Sequence, residues 1–228
     1  MPAAGSVGLI HMTNAYGAGL ADSFADDFTN SSGNTLCTRI GYEETTTDFS
    51  AAVQSMVDNG CTSAVLVSYA ADGGMILDEM ASLGWSGQVY GGDGIAEEGL
   101  AADTSSSVDG VIATKPSAGS MGTVGYVFQG LCGQSADCAN GIYTAEAFDS
   151  VVVMALSAFA QMASPSATLS QVIQVTGQGL EGASGTISFL SNGDSPGAGY
   201  CVGDFTEDAS GNVAFTCNRS WDPANGMS

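Results

Sequence analysis

Few residues in this chain could do chemistry, and those that could are mostly acids and tyrosines. Asp93 stands in Gly91-Gly92-Asp93-Gly94, a glycine-rich turn directly after a short apolar run. A half-buried carboxylate suits a cationic amine, which leaves water only when a charge and hydrogen bonds replace its hydration. The same aspartate could instead bond the backbone of its own turn. Tyr16 and Tyr69 each follow an apolar run. A tyrosine offers an apolar face and one polar tip, which fits a small solute of mixed surface, although Tyr16 could equally pack beneath the segment that follows it. Asn14 could donate to a ligand carboxylate or serve as a local turn residue.

Catalytic patterns are weaker. Gly193-Asp194-Ser195-Pro196-Gly197 matches G-x-S-x-G. A nucleophile elbow, however, needs a strand before it, a helix after it and a backbone N–H on the residue after the serine, and Pro196 has none. The one histidine, His11, lies within an apolar run. Gly17-Ala18-Gly19 lacks the third glycine of a dinucleotide loop, where Asp22 stands, and no phosphate-binding lysine follows. Asp204, Glu207 and Asp208 do not have EF-hand spacing, and a solvated turn accounts for them. No catalytic residue, metal or cofactor is expected.

The 228 residues carry three Lys+Arg against 24 Asp+Glu, a net charge of −21. Such a surface repels phosphate backbones and anionic membranes, so a nucleic-acid partner is excluded. Because the acids are spread along the chain, a salt-adapted, soluble surface explains them better than a cation site. The six cysteines fall into three local pairs by spacing. Cys201 and Cys217 are symmetric about residue 209, inside a turn signal, as partners on a hairpin would be. Cys132 and Cys138 close a small loop, which leaves Cys37 with Cys61. Oxidised pairs imply a compartment outside the cytosol. Yet Met1 leads almost directly into an apolar strand, with no basic segment and apolar run ahead of it. The longest apolar stretch, 151–163, is too short to span a membrane.

Periodicity predicts an α/β fold. Strands are expected over 6–12, 35–40, 63–68, 88–91 and 111–114, with helices over 19–29, 48–59 and 74–83, the second capped by Asp48. Apolar strands alternating with amphipathic helices build a parallel sheet sandwiched by helices. Ligands in such sheets bind at strand carboxyl ends, here 13–16, 41–44, 68–72 and 91–94. A Pro/Gly/Ser connector at 115–123 leads to a long helix at 144–162. That helix is apolar on more than one face and so should be buried. A helix at 169–175, a strand at 185–189 and a disulfide hairpin at 200–217 follow. These are too few strands to form a sheet beneath the long helix.

In their order, several stretches resemble the type I periplasmic binding proteins of the branched-chain amino acid group, from about Val7 to Phe215. They are Asn14-Ala15-Tyr16-Gly17-Ala18-Gly19-Leu20, Thr47-Asp48-Phe49-Ser50, Val65-Leu66-Val67-Ser68-Tyr69-Ala70-Ala71-Asp72, Gly91-Gly92-Asp93-Gly94, Tyr143-Thr144-Ala145-Glu146-Ala147-Phe148-Asp149, Gly185-Thr186-Ile187-Ser188-Phe189, Asn192-Gly193-Asp194 and Tyr200-Cys201-Val202. The resemblance implies a near-complete second lobe over 5–113, a partial return into the first lobe over 114–198, and a final crossing back over 199–228. It also implies that Met1 begins midway through a normal member, after an export signal and a first-lobe segment that carries much of the carboxylate recognition. Asp93 takes the position of the acid that pairs with a ligand ammonium. Tyr16 takes that of a ligand-contacting tyrosine, and Tyr69, or with a one-residue shift Ala70, another contact.

The implied function is capture of a small amino acid or amide-like solute by hinge closure. The protein would act as a monomer outside the cytoplasm and deliver to an ABC permease. The same lobes also serve ligand-sensing receptors. A hydrolase is the remaining alternative and fits poorly.

Overall fold

The computed structural model describes residues 6–30, 34–117, 122–135, 138, 141–197, 199–207, 213–222 and 225–228. The chain divides into two compact units. One runs through Lys115 and resumes over Cys201–Trp221 and Met227–Ser228; the other covers Pro116–Tyr200 and Asp222–Gly226.

The first unit is built on β1 (Ser6–Met12), α1 (Ala15–Asn30), β2 (Thr35–Tyr42), α2 (Ser50–Asp58), β3 (Ser63–Val67), α3 (Ala70–Ser82), β4 (Gln88–Gly91), the short α4 (Gly99–Ala102) and β5 (Ile112–Pro116). The final hairpin, β6 (Tyr200–Glu207) and β7 (Val213–Asp222), and the two-residue β8 (Gly226–Met227) complete one sheet in the order β2-β1-β3-β4-β5-β6-β7-β8. The pairs β1–β2, β1–β3, β3–β4 and β4–β5 are all parallel.

The pleat sorts side chains between two cores. Val7 and Leu9 of β1 and Val65 and Val67 of β3 meet Ala21 and Phe28 of α1. The alternate residues Ile10, Met12, Ala64 and Leu66 meet Val53, Met56, Ile76, Leu77 and Met80 of α2 and α3. Period-two alternation with apolar residues on both sides is what a parallel strand covered by helices requires. The hairpin is locked in by Phe205, fully buried, which packs edge-on against Phe215 at 5.3 Å.

Element ends differ from the sequence expectation for local reasons. Helix α1 starts four residues early because Asn14 caps it, its Oδ1 accepting the Gly17 N–H at 2.8 Å. Helix α2 starts at Ser50, so Asp48 is not its N-cap; Asp48 Oδ1 instead accepts from the Ser50 N–H at 2.9 Å and hydroxyl at 2.6 Å. Helix α3 runs through Gly73 and Gly74, which propensity disfavours. A Cβ at Gly73 would meet Ile95 and Leu100, and one at Gly74 the backbone of Asp103, so close approach of the following segment overrides that preference.

The second unit contains α5 (Thr123–Cys132), a helix that periodicity does not predict and that begins where the expected connector ends, α6 (Thr144–Ala163) and α7 (Leu169–Gly177). Helix α7 opens with a reciprocal capping box between Thr168 and Gln171. Asp149 of α6 is buried, and its carboxylate accepts from the Ala183 and Ser184 N–H groups at 2.6 and 2.8 Å and from the Ser184 hydroxyl at 2.6 Å. The expected strand at 185–189 is absent: Thr186 forms only an isolated antiparallel bridge with Glu181, a turn folded on itself with no neighbouring strand to extend.

Helix α6 also departs from expectation. It is 20 residues long, long and apolar enough by length and composition to cross a membrane, and only 17% of its apolar window is buried. Val153 is buried, whereas Val151, Met154, Phe159 and Met162 are exposed. The bonds from Asp149 to a neighbouring turn tie the helix into its own unit.

All three cysteine pairs are joined, Cys37–Cys61, Cys132–Cys138 and Cys201–Cys217, with Cα separations of 5.7, 5.2 and 5.6 Å. The turn at 208–212 between Cys201 and Cys217 lies outside the described residues. Replacing Phe205 with Ala should cost about 3–5 kcal/mol, because a large ring leaves a cavity that β-structure closes poorly. Denaturant unfolding checks this, and a loss below about 1 kcal/mol would show that the hairpin is not part of the core.

Candidate ligand-binding site

In the parallel sheet β1 lies between β2 and β3, and the chain leaves β1 toward β2 but continues from β3 on the other side. The carboxyl ends of β1 and β3 therefore flank a topological switch point, where the connecting loops diverge and leave a crevice. Tyr16 follows β1 and Tyr69 follows β3, and their rings stack with centroids 5.4 Å apart and planes 9° from parallel. Tyr69 is 47% exposed.

Asp93 is brought to the same place by the turn after β4. The Tyr16 hydroxyl donates to Asp93 Oδ1 at 3.0 Å and accepts the Gly94 N–H at 3.3 Å. Gly94 permits this approach, since a Cβ there would run into the Ser68 carbonyl and lie 3.0 Å from the Tyr16 hydroxyl. Three of the residues singled out in the sequence thus form one cluster.

A second cluster occupies the neighbouring strand ends. The Tyr42 hydroxyl donates to Asp72 Oδ2 at 3.2 Å, while its ring packs edge-on against Phe49 at 5.0 Å. Asn14 Nδ2 donates to Glu44 Oε1 at 2.6 Å, so both ends of the Asn14 amide are engaged within the chain. Ala70 is 6% exposed and belongs to the core; at this strand end it is Tyr69 that presents a side chain. Tyr42, Asp72 and Glu44 were not singled out individually. The available signal was their position in the strand-end stretches 41–44 and 68–72.

The electrostatics follow from this packing. Burial, then the charge of Asp93 and the hydrogen bond to it, hold the Tyr16 phenol well above its usual value of 10.0, against the Gly94 N–H. Burial likewise raises Tyr42, opposed by the Ser68 hydroxyl and reinforced by Asp72. Asp72 is itself raised, first by burial, with Glu44 adding and the Tyr42 hydrogen bond opposing.

The basic residues are engaged elsewhere. Arg39 Nη2 donates to Asp22 at 2.6 Å and Arg39 Nε to His11 Nε2 at 3.1 Å. Lys115 Nζ sits 5.1 Å from the Phe215 ring centroid, and Arg219 and Tyr90 line one cavity.

The enzymatic motifs do not assemble. Ser195 lies in a loop between α7 and β6, preceded by no strand and followed by no helix. Both ring nitrogens of His11 are taken, Nδ1 by the Met12 carbonyl at 2.8 Å. Gly17-Ala18-Gly19 lies inside α1 and makes no phosphate loop. Asp204 accepts from Asn218 at 2.9 Å, Asp208 lies outside the described residues, and among the described residues no group of three metal-ligating side chains occurs.

The sequence matches no protein-family model and no curated protein. Solved structures do match in fold. A leucine-binding protein of Thermotoga maritima superposes with a TM-score of 0.75 at 20% identity, over 92% of this chain and 59% of its own. A solute-binding protein of an ABC transporter from Rhodopseudomonas palustris BisB5, in complex with 3,4-dihydroxybenzoic acid, gives 0.71 at 14% identity, over 99% and 61%. A branched-chain amino acid transporter substrate-binding protein of Streptococcus pneumoniae, in complex with isoleucine, gives 0.65 at 17% identity, over 92% and 60%. The chain has the type I periplasmic-binding-protein fold and spans about three fifths of the length of these structures.

Raised folded-state values make Tyr16 and Tyr42 late-ionising phenols. Because the native state keeps these protons longer than the unfolded chain, their contribution to stability is complete below about pH 10 and is lost as pH rises past it. Tyr16→Phe and Tyr42→Phe should each remove one late-ionising group from a native titration of phenolate absorbance. A wild-type titration in which every tyrosine ionises in the ordinary range would contradict the assignment.

Proposed function

We propose that this chain binds a small amine-bearing solute, an amino acid or amide-like compound, as the extracytoplasmic substrate-binding component of an ABC importer. The observation that carries the reading is the Tyr16–Asp93 hydrogen bond beside an exposed Tyr69, at the switch point of a parallel sheet. A carboxylate held by a tyrosine hydroxyl, with an aromatic face next to it, suits an ammonium carried on a small organic body.

The rest of the chain supports the reading. The fold is that of solute-binding proteins, and three disulfides suit an oxidising compartment. The reading is one of binding: among the described residues the strand-end groups hold one another in hydrogen bonds, Tyr16 with Asp93 and Tyr42 with Asp72. Two similar structures hold ligands as unlike as isoleucine and a dihydroxybenzoic acid, so the fold alone does not choose the solute. Here the acid and tyrosines at the strand ends do the choosing, and the partner that receives the solute is an ABC permease.

Asp93→Asn keeps the shape of the side chain and removes its charge. It should weaken amine binding by about 2–5 kcal/mol, the cost of leaving a partly buried ammonium unpaired, as measured by titration calorimetry against amino acids and simple amines. Unchanged affinity for every amine that the parent protein binds would remove Asp93 from the site.

A further inference from the structure

We infer that the open face of the sheet in the first unit holds a ligand of its own, an amphiphile with a slim apolar body and one carboxylate, as a medium-chain fatty acid has. The carboxylate meets Arg219, and the body lies across the strands beside α1.

The sheet is covered unequally. Helices α2, α3 and α4 pack on the face that carries Ile10, Ala64 and Leu66, whereas α1 packs on the face that carries Leu9, Val65 and Val67. Strand register continues this second face outward: Leu9 stands opposite Val65, Val65 opposite Tyr90, and Tyr90 opposite Ile112. Leu9 is fully buried, but Tyr90 and Ile112 are only half-buried. A row of large side chains thus runs out from beneath α1, and among the described residues no second helix joins α1 in that core.

The result is a cavity of about 740 Å³ built wholly from residues of the first unit. Leu20 and Phe24 of α1 line it together with Val65, Tyr90, Ile112 and Val202 of four successive strands. Met227 of β8 also contributes. Such a volume, mostly apolar with few polar groups, is that of a small-molecule site. From β3 to β7 the strands span about 19 Å, four spacings of about 4.8 Å, which accommodates an extended chain of about ten carbons and its head group.

Charge then selects the head group. Arg219 of β7 is the one charged side chain on the lining. The other two basic residues are occupied, Arg39 by Asp22 and Lys115 by the Phe215 ring. Among the described residues Arg219 forms no ion pair, although the terminal residue Ser228 lines the same cavity. Its charge is felt there, because it opposes the rise that burial gives the Tyr90 phenol. A guanidinium matches a carboxylate with two parallel hydrogen bonds. An uncharged apolar body would leave that cation unmatched, and an inorganic anion would leave the apolar lining wet. A chain of net charge −21 repels anions in general, so an anion gains here by burying apolar area as well.

The cavity borders the strand-end cluster at Gly91 and Gly92 but takes in none of Tyr16, Tyr69 or Asp93. The inference therefore stands apart from the amine reading. The rival occupant of the face is a second copy of the chain.

The experiment is titration calorimetry on the whole chain with hexanoate, octanoate, decanoate and decan-1-ol, all below micellar concentrations, beside sedimentation at several protein concentrations. Affinity should rise roughly threefold for each added methylene of the acids. Decanoate should bind at a single site, at least about tenfold more tightly than decan-1-ol. Arg219 and Met227 are both exposed, so substituting them spares the core. Arg219→Gln should remove the advantage of decanoate and leave decan-1-ol unchanged. Met227→Glu, which sets an acid on the lining, should weaken decanoate more than decan-1-ol.

The inference is overturned if decanoate does not bind, if it binds no more tightly than hexanoate or decan-1-ol, or if its advantage survives Arg219→Gln or Met227→Glu. Self-association that Met227→Glu abolishes and saturating decanoate does not would assign the face to a second copy, and would equally overturn it.

Discussion

The hydrogen bond from Tyr16 to Asp93 joins residues 77 apart in the chain, and the site depends on the geometry that makes it. It exists because β1 lies between β2 and β3, so the loops leaving β1, β3 and β4 open at one end of one sheet. The bond holds a half-buried carboxylate in position and leaves its charge in place. A group of that kind gains from an arriving cation, since part of its desolvation has already occurred in the folded protein. Raised phenols at Tyr16 and Tyr42 are the other side of the same arrangement: each donates to an acid that would repel it if ionised.

The wider electrostatics act in the same direction with less specificity. A net charge of −21 draws small cations toward the chain from a distance and keeps anionic polymers away. At the strand ends two acids, Asp93 and Asp72, are each fixed by a tyrosine hydroxyl. The basic residues do local work: Arg39 ties α1 to the sheet through Asp22 and His11, and Lys115 rests over Phe215.

The two units meet different packing demands. In the first, apolar side chains alternate across the sheet and are buried on both faces, with the late hairpin anchored to the core by Phe205 and its two strands joined by the Cys201–Cys217 bridge. In the second, Asp149 secures α6 to the turn at Ala183 and Ser184, while much of the helix stays exposed. Its described residues hold no sheet of their own against which a helix apolar on several faces could pack.

Much of this was legible in the residues. The alternation of Val7, Leu9, Val65 and Val67 with Ile10, Met12, Ala64 and Leu66 could belong only to strands covered on both faces. Glycines and short polar turns marked where the strands ended, and hence the four stretches from which ligand groups could come. Asp93 and Tyr16 stood out because a charged or amphipathic residue after an apolar run has few structural duties there.

What the sequence could not reveal was pairing across distance. Nothing local shows that Tyr16 bonds Asp93, that Tyr42 holds Asp72, or that Asn14 spends its amide on Gly17 and Glu44. Nor could it show that Gly73 and Gly74 continue a helix or that 185–189 fails to become a strand. Propensity and periodicity describe a segment against water; partners, close approaches and missing neighbours exist only once distant segments are packed together, and that packing decided the site.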